Sequence, residues 1–145
     1  MATEPTEIIT ASVISHNRRT AFLPRLFGAY HLIAQNHIFK TAENHSKDYT
    51  GGSWEFKELS IGGGYLVPKC AEEFYVSVSG NHFSGTLSAD AAGIVFTLFT
   101  INALIWHAYH NEFFHIQDML TRQEERLKQF AREHVEGARI FAAID

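Results

Sequence analysis

Histidines are the first residues in this chain that chemistry would use: there are nine, and several fall close together late in the sequence. His107 and His110 stand at i, i+3 on one helical face, with Glu112 and His115 close behind, so a metal centre is the first chemistry to test. Zinc takes three or four ligands converging at about 2.0–2.3 Å, and the sequence holds no H-E-x-x-H, C-x-x-C or equivalent second half. These histidines are therefore expected at the end of a buried helix, with no metal and no cofactor. Gly51-Gly52-Ser53-Trp54-Glu55 comes near the G-x-S-x-G of a hydrolase, but its last position is Glu55 and a strand pattern follows. Gly62-Gly63-Gly64 invites comparison with a phosphate cradle, yet the Gly-Lys-Ser/Thr is missing and the segment joins two strands. Glu55 with Glu58, or Glu72 with Glu73, would be an acid/base pair only in a shared buried cleft. Nothing in the pattern makes one, so solvated faces are expected. No catalytic residue is assigned, and the chain reads as a non-enzyme.

The elements that position these residues follow from period and punctuation. Asp48 to Pro68 holds two glycine-marked turns around Trp54-Glu55-Phe56-Lys57, which alternates apolar with charged, and Tyr65 to Val67 is its return strand, limited by Pro68 to an edge or a strand end. Phe74, Val76 and Val78 predict a third strand, and His82 to Leu87 a fourth beyond the Gly80-Asn81 turn, so the middle reads as an antiparallel meander. Ile8 to Ile14 is either an edge strand or a continuation of a frayed arm over Met1 to Glu7. Phe22 to Gly28 reads as an apolar turn leading into a helix from about Ala29 to Asn44, with Tyr30, Ile33, His37 and Thr41 on one face. Ser88 is a well-placed N-cap, with Asp90 in the first turn of a helix reaching about Tyr109. That helix is apolar nearly all round except for a seam of Asp90, Gly93, Thr97, Thr100, Leu104, His107 and Asn111, whose small members predict close packing. A last long helix, roughly Glu112 to His134, places Phe113, Ile116, Leu120, Leu127 and Phe130 inward and offers Asp118 with Arg122 and Glu124 with Lys128 as i,i+4 pairs. Gly137 then breaks or re-aims the chain. The fold class is α+β: a central antiparallel sheet of three to five short strands packed with flanking helices in a single domain spanning the chain.

Composition narrows the function classes. The 145 residues, 46% hydrophobic and 19% charged, fit one globular domain. Lys and Arg number 12 against 16 Asp and Glu, a net charge of −4. Duplex DNA carries one negative charge per ~1.7 Å, so a carboxylate decoy covering a ~30 Å face needs roughly 18 uncompensated acids. This chain is a poor DNA mimic, and without a basic patch it is an equally poor DNA binder. The single cysteine, Cys70, cannot form an internal disulfide, and no secretory signal opens the sequence, so a cytoplasmic location is expected. The longest apolar stretch, Ala91 to Trp106, includes Thr97, Thr100 and Asn102 and falls short of the ~20 residues that cross a bilayer; a buried helix is expected, and no membrane partner. Trp54, Phe56, Tyr65 and Tyr75 cannot all face one side of a small sheet; helices covering both faces are expected, and the alternative is an exposed apolar patch rimmed by Glu55, Lys57 and Glu58 as an interface.

Three ordered blocks carry a family resemblance. Asp48 to Pro68 resembles the D-Y-[ST]-G-G-x-W-x-F-x-x-L-S-x-G-G block of the ArdB/KlcA antirestriction proteins of plasmids, phages and other mobile elements. Leu87-Ser88-Ala89-Asp90-Ala91-Ala92-Gly93-Ile94 is similar to that family's L-S-x-x-A-A-G-I, the chain ends on the same Ile144-Asp145, and Phe22 to Gly28 is like its F-x-P-x-x-F-G turn. The resemblance implies a compact protein with helices flanking an antiparallel sheet. It also implies a non-enzymatic inhibitor that alleviates host type I restriction of incoming mobile-element DNA. The implied partner is the type I restriction-modification complex or a host factor acting on it, with no stable direct DNA binding. Asp48, Trp54, Glu55, Lys57, Glu58 and Asp145 are the candidate partner-binding residues. The rival reading is a small nucleic-acid-associated module that protects incoming DNA.

Overall fold

Helix α3, Ala89–His110, is the axis on which the other elements pack. In the computed structural model, which describes residues 8–145, its first turn is capped as the sequence predicts: the Ser88 hydroxyl accepts the Ala91 N–H at 3.1 Å. The arm expected over Met1 to Glu7 lies outside the described residues. By length and composition α3 is apolar enough to cross a membrane, but 67% of its most apolar window is buried inside the domain. It is the core helix, and its buried residues run from Ala91 to Ala108.

Among the described residues five strands form two antiparallel sheets. Strands β1 (Ala11–Val13), β2 (Trp54–Leu59) and β3 (Gly64–Pro68) pair in that order, with Ala11 opposite Leu59 and Phe56 opposite Leu66. The segment around Ile8 to Ile14 therefore resolves into an edge strand. Gly62 and Gly63, at φ 96° and 78°, make the β2–β3 turn in a backbone region that side chains disfavour. Strands β4 (Glu73–Val78) and β5 (Phe83–Ser88) form a separate hairpin, with Phe74 opposite Leu87. The α+β class and antiparallel strands are as expected, but the single meander is not: β3 and β4 do not pair.

The reason lies at the free edge of β3. All five of its residues are buried, because α3 covers the edge that β4 would otherwise take. The Leu66 N–H donates to the Thr97 hydroxyl at 3.2 Å, so a helix side chain satisfies a donor that a further strand would have met. Gly93 makes this approach possible: a Cβ there would collide with the Leu66 carbonyl and lie 3.0 Å from the Val67 Cα. The predicted small-residue seam is thus the line along which β3, and farther on α2, meet α3.

Two helices lie between β1 and β2 in the chain. The residues read as an apolar turn belong to helix α1 (Arg19–Phe27), which keeps Pro24 in its interior because Phe22, Leu23, Leu26 and Phe27 are buried together and outweigh the missing N–H. A short 3-10 turn, Gly28–Tyr30, separates it from α2 (His31–His45). The buried face of α2 is Ala34, Ile38, Thr41 and Ala42; Leu32 and Ile33 face solvent, so the expected inward place of Ile33 is corrected. Helix α4 (Phe114–Glu133) buries Leu120, Gln123, Leu127 and Ala131, while Phe113 is exposed rather than inward. Lys128 and Glu124 stand 3.7 Å apart as expected, whereas Asp118 and Arg122 form no ion pair among the described residues. Gly137 starts α5 (Gly137–Ile144), which closes over α3 and β5.

Gly93→Val inserts a branched side chain where the Leu66 backbone sits, and is expected to lower stability by about 1–3 kcal/mol or more. Gly80→Ala, where an added Cβ meets nothing within 4 Å, is expected to stay within about 0.5 kcal/mol. Urea denaturation of both variants checks the α3–β3 contact; equal midpoints would contradict it.

Candidate functional site

The residues singled out on β2 divide between core and surface. Trp54 is 4% exposed, its ring 5.2 Å from Phe39 and 5.5 Å from Tyr49, and its indole N–H donates to the Tyr49 hydroxyl at 3.0 Å. Phe56 and Tyr65 are buried too, and of the four aromatics only Tyr75 is exposed. Helices cover these aromatics as expected, with Trp54 beside Phe39 of α2 and Tyr49, Phe56 beside Phe22 of α1 and Tyr65 beside Phe130 of α4, so the alternative of an exposed patch does not form. Each charge on the strand has a partner instead. Glu55 lies 3.5 Å from Lys69, Lys57 2.7 Å from Asp90, and Glu58 3.0 Å from Arg18. The Glu55 and Glu58 pairs are the more exposed, contribute little to stability and leave their charges at the surface, whereas the Lys57–Asp90 pair is partly buried.

The candidate residues are not gathered at one place. Asp48 accepts the Tyr75 N–H at 2.7 Å and sits in a cleft with His45 and Ser77. Glu58 borders a different cleft, with Arg25 and Arg126, and Asp145 a third, with Asn102 and Lys128. Lys57 turns away from these surfaces toward Asp90.

Asp90 is a polar junction that sequence reasoning placed in the first turn of α3 and on its packing seam, without naming its partners. Its Oδ1 accepts from Lys57 Nζ at 2.7 Å and from the Tyr65 hydroxyl at 2.8 Å, while Oδ2 accepts from His134 Nε2 at 2.9 Å. The Glu136 N–H donates to His134 Nδ1 at 3.0 Å, which fixes the imidazole as the Nε2–H tautomer. The Glu136 carboxylate in turn takes the Ser88 N–H at 2.9 Å and the Ser88 hydroxyl in a short hydrogen bond. Burial by itself would raise the Asp90 carboxyl, but hydrogen bonds from His134, Lys57 and Tyr65, with the Lys57 charge, overcome it and hold the group well below the usual carboxylate range. Burial, and then the charge and hydrogen bond of Asp90, push the Tyr65 phenol well up. Serine, histidine and two carboxylates stand together here, yet the imidazole nitrogens are both engaged, and the Ser88 hydroxyl caps α3 while donating to Glu136. The geometry is that of a structural tie between β2, β3, α3 and the α4–α5 link.

The late histidines also go to separate tasks. His107 Nδ1 lies 2.8 Å from the Tyr30 hydroxyl, and His110 stacks on Trp106 with ring centroids 6.0 Å apart. Among the described residues no three His, Cys, Asp or Glu side chains come together as a metal-binding group. Around the α3–α4 turn, where Glu112 takes φ 59°, Trp106, Tyr109, Phe113 and Phe114 are all roughly half exposed. Their helical spacing reads as core; only the emergence of α3 from the domain makes them surface.

Comparison with known proteins places this architecture. Residues 47–145 match the model of a family described as antirestriction protein. An Escherichia coli antirestriction protein KlcA is 37% identical over 138 residues, covering 94% of this chain and 95% of the relative. A second E. coli KlcA is 38% identical over 140 residues, covering 94% of each. A solved structure, 36% identical with a TM-score of 0.85 over 100% of both chains, is described as showing for KlcA and ArdB a novel fold and antirestriction activity against type I DNA restriction systems in vivo but not in vitro.

The Asp90 junction predicts an acid dependence whose sign follows from its lowered folded-state pKa. Its contribution is fully present above the ordinary value of 3.8 and drains away as pH falls from there toward the folded-state value. Asp90→Asn leaves Lys57 without its partner and is expected to cost about 2 kcal/mol at neutral pH. The variant is also expected to lose stability less steeply than the parent below about pH 4. Thermal melts across pH 2–7 check both outcomes, and parallel curves for parent and variant would contradict the assignment.

Proposed function

This chain belongs to the antirestriction protein family, and from that membership we propose that it relieves host type I restriction of incoming mobile-element DNA as a non-enzymatic inhibitor. The observation that carries the reading is full-length similarity, at 36% identity, to a structure described as active against type I systems in vivo but not in vitro. Activity that needs a living cell points to a component that a purified reaction lacks. The inhibitor then acts through a protein surface, on the restriction-modification complex as it exists in the cell or on a host factor that acts on it.

Charge supports a surface mechanism over phosphate mimicry. A net charge of −4 is far below the roughly 18 acids that a decoy would need, and the β2 carboxylates Glu55 and Glu58 are each met by a cation. The positions proposed for partner contact are Glu55 and Glu58, which strand alternation puts on opposite faces of β2, with Asp48 and Asp145 in two further, separate clefts. Trp54 supports the strand from within, since it is buried. Lys57 supports it by its tie to Asp90.

Expression of the chain in a type I-proficient host is expected to restore plating of unmodified phage, and unchanged plating refutes the proposal. The purified chain is expected to give no salt-dependent shift of duplex DNA at micromolar concentration; a shift that weakens with salt would favour the nucleic-acid-associated reading instead.

A further inference from the structure

Helix α3 runs out of the domain at its C-terminal end and leaves a set of rings half uncovered. Trp106, Tyr109, Phe113 and Phe114 are 55%, 49%, 47% and 54% exposed. The rings support one another: Trp106 meets Tyr109 edge-on with centroids 5.9 Å apart, and His110 packs on both, at 6.0 and 5.4 Å. A cluster arranged before binding costs less to order when a partner arrives. Beside it, a cleft of about 290 Å³ opens between α3 and α4, lined by Ile105, Trp106, Tyr109 and Gln117.

The turn that follows carries an independent sign of use. Glu112 takes φ 59° where glycine commonly ends a helix, and the Phe113 N–H closes the turn on the Ala108 carbonyl at 2.8 Å. A side chain in that region has a conformational cost that glycine avoids. The cost keeps a carboxylate next to the rings.

Charge and area select what covers this ledge. Between Asn102 and Thr121 the chain has no Lys or Arg, and its formal charges are Glu112 and Asp118, both exposed. Nucleic acid and anionic lipid are bound through cations, which this stretch lacks. Aromatic side chains offer about 150–250 Å² each, so four at half exposure present about 300–500 Å². Two copies joined here would bury at most about 1,000 Å², short of the ~1,200 Å² at which stable interfaces begin, and would bring like carboxylates together. A wholly apolar partner would cover those carboxylates without pairing them. A short segment bearing a cation meets each condition. Arginine suits it better than lysine, because a planar guanidinium stacks on rings and still donates to an amide oxygen such as that of Gln117. We propose that the α3–α4 ledge binds an arginine-bearing segment of a partner protein, its guanidinium on the Trp106 and Tyr109 rings and its charge answered by Glu112. The proposal gives the surface mechanism a partner chemistry, and it rests on that reading for the partner's role in restriction.

The chain has two tryptophans, exposed Trp106 and buried Trp54, so one indole signal reports the ledge and the other serves as control. At neutral pH the 15N-labelled full chain is titrated with acetyl-Leu-Arg-Leu-amide and with its norleucine counterpart. The arginine peptide is expected to shift the Trp106 indole N–H saturably and leave that of Trp54 in place. The norleucine peptide is expected to bind about tenfold more weakly. Glu112→Gln is expected to weaken the arginine peptide about threefold. Equal binding of the two peptides overturns the proposal, as does tighter binding of a thymidine tetranucleotide or of phosphatidylglycerol vesicles, or a Trp106 signal that moves with protein concentration alone. In a host where the parent chain restores plating, Trp106→Ala is expected to lose about tenfold of that relief while melting as the parent does, with Tyr109→Ala as the second variant. Full relief by both variants overturns the proposal. A parent chain without relief refutes the antirestriction reading instead, and the peptide titration still decides whether the ledge takes arginine.

Discussion

The close approach of the β3 backbone to helix α3 at Gly93 is the contact on which the rest of the architecture depends. A strand edge buried under a helix has to satisfy its outward N–H groups, and Thr97 does this for Leu66. Because the helix takes the place of a neighbouring strand, the three-stranded sheet stops there and β4 with β5 must form its own hairpin. The same helical face carries the contact onward: Thr100 Oγ1 lies 3.0 Å from His37 Nδ1, and His107 meets Tyr30 one further stretch along. A helix that is apolar nearly all round remains the core of a folded domain because Asp90, Thr97, Thr100 and His107 on its seam each have a partner on a different element.

At the N-terminal end of that seam, Asp90 joins four elements through one carboxylate. A partly buried ion pair is not in itself strong support for stability, because desolvation offsets much of the attraction. Its effect is to specify register. Lys57 and Tyr65 reach Asp90 only when β2 and β3 pair as they do, with Lys57 opposite Tyr65, and His134 reaches it only when α4 ends where it does. The serine, histidine and carboxylates that elsewhere would suggest catalysis are used here to hold strands and helices together.

With the interior committed in this way, the features available to a partner are peripheral: charged pairs along β2, the aromatic ledge of Trp106, Tyr109, Phe113 and Phe114, and the arginine-lined cleft beside the glycine turn. The glycines of that turn shape a rigid hairpin and also leave space for Arg126. The proposed surface mechanism calls on such peripheral features rather than on a deep reactive pocket.

The sequence by itself determined what depends on neighbours in the chain. The alternation in Trp54 to Lys57 and Phe74 to Val78, the Ser88 cap, the turns at Gly62-Gly63 and Gly80-Asn81 and the small-residue seam are all local signals, and each appears in the structure where its residues predict it. The ordered blocks were enough to identify the family. What only the tertiary structure decided is which apolar residue is covered and which polar groups meet. Helix α1 forms in spite of Pro24 because its apolar face is buried, and α2 turns Ile33 outward because Ala34 and Ile38 fit more closely against α3. Trp54 is sealed by Phe39 and Tyr49, and Gln123 faces Arg25 across nearly a hundred positions. Burial and charge pairing depend on residues distant in sequence, and no local period encodes which of them will arrive.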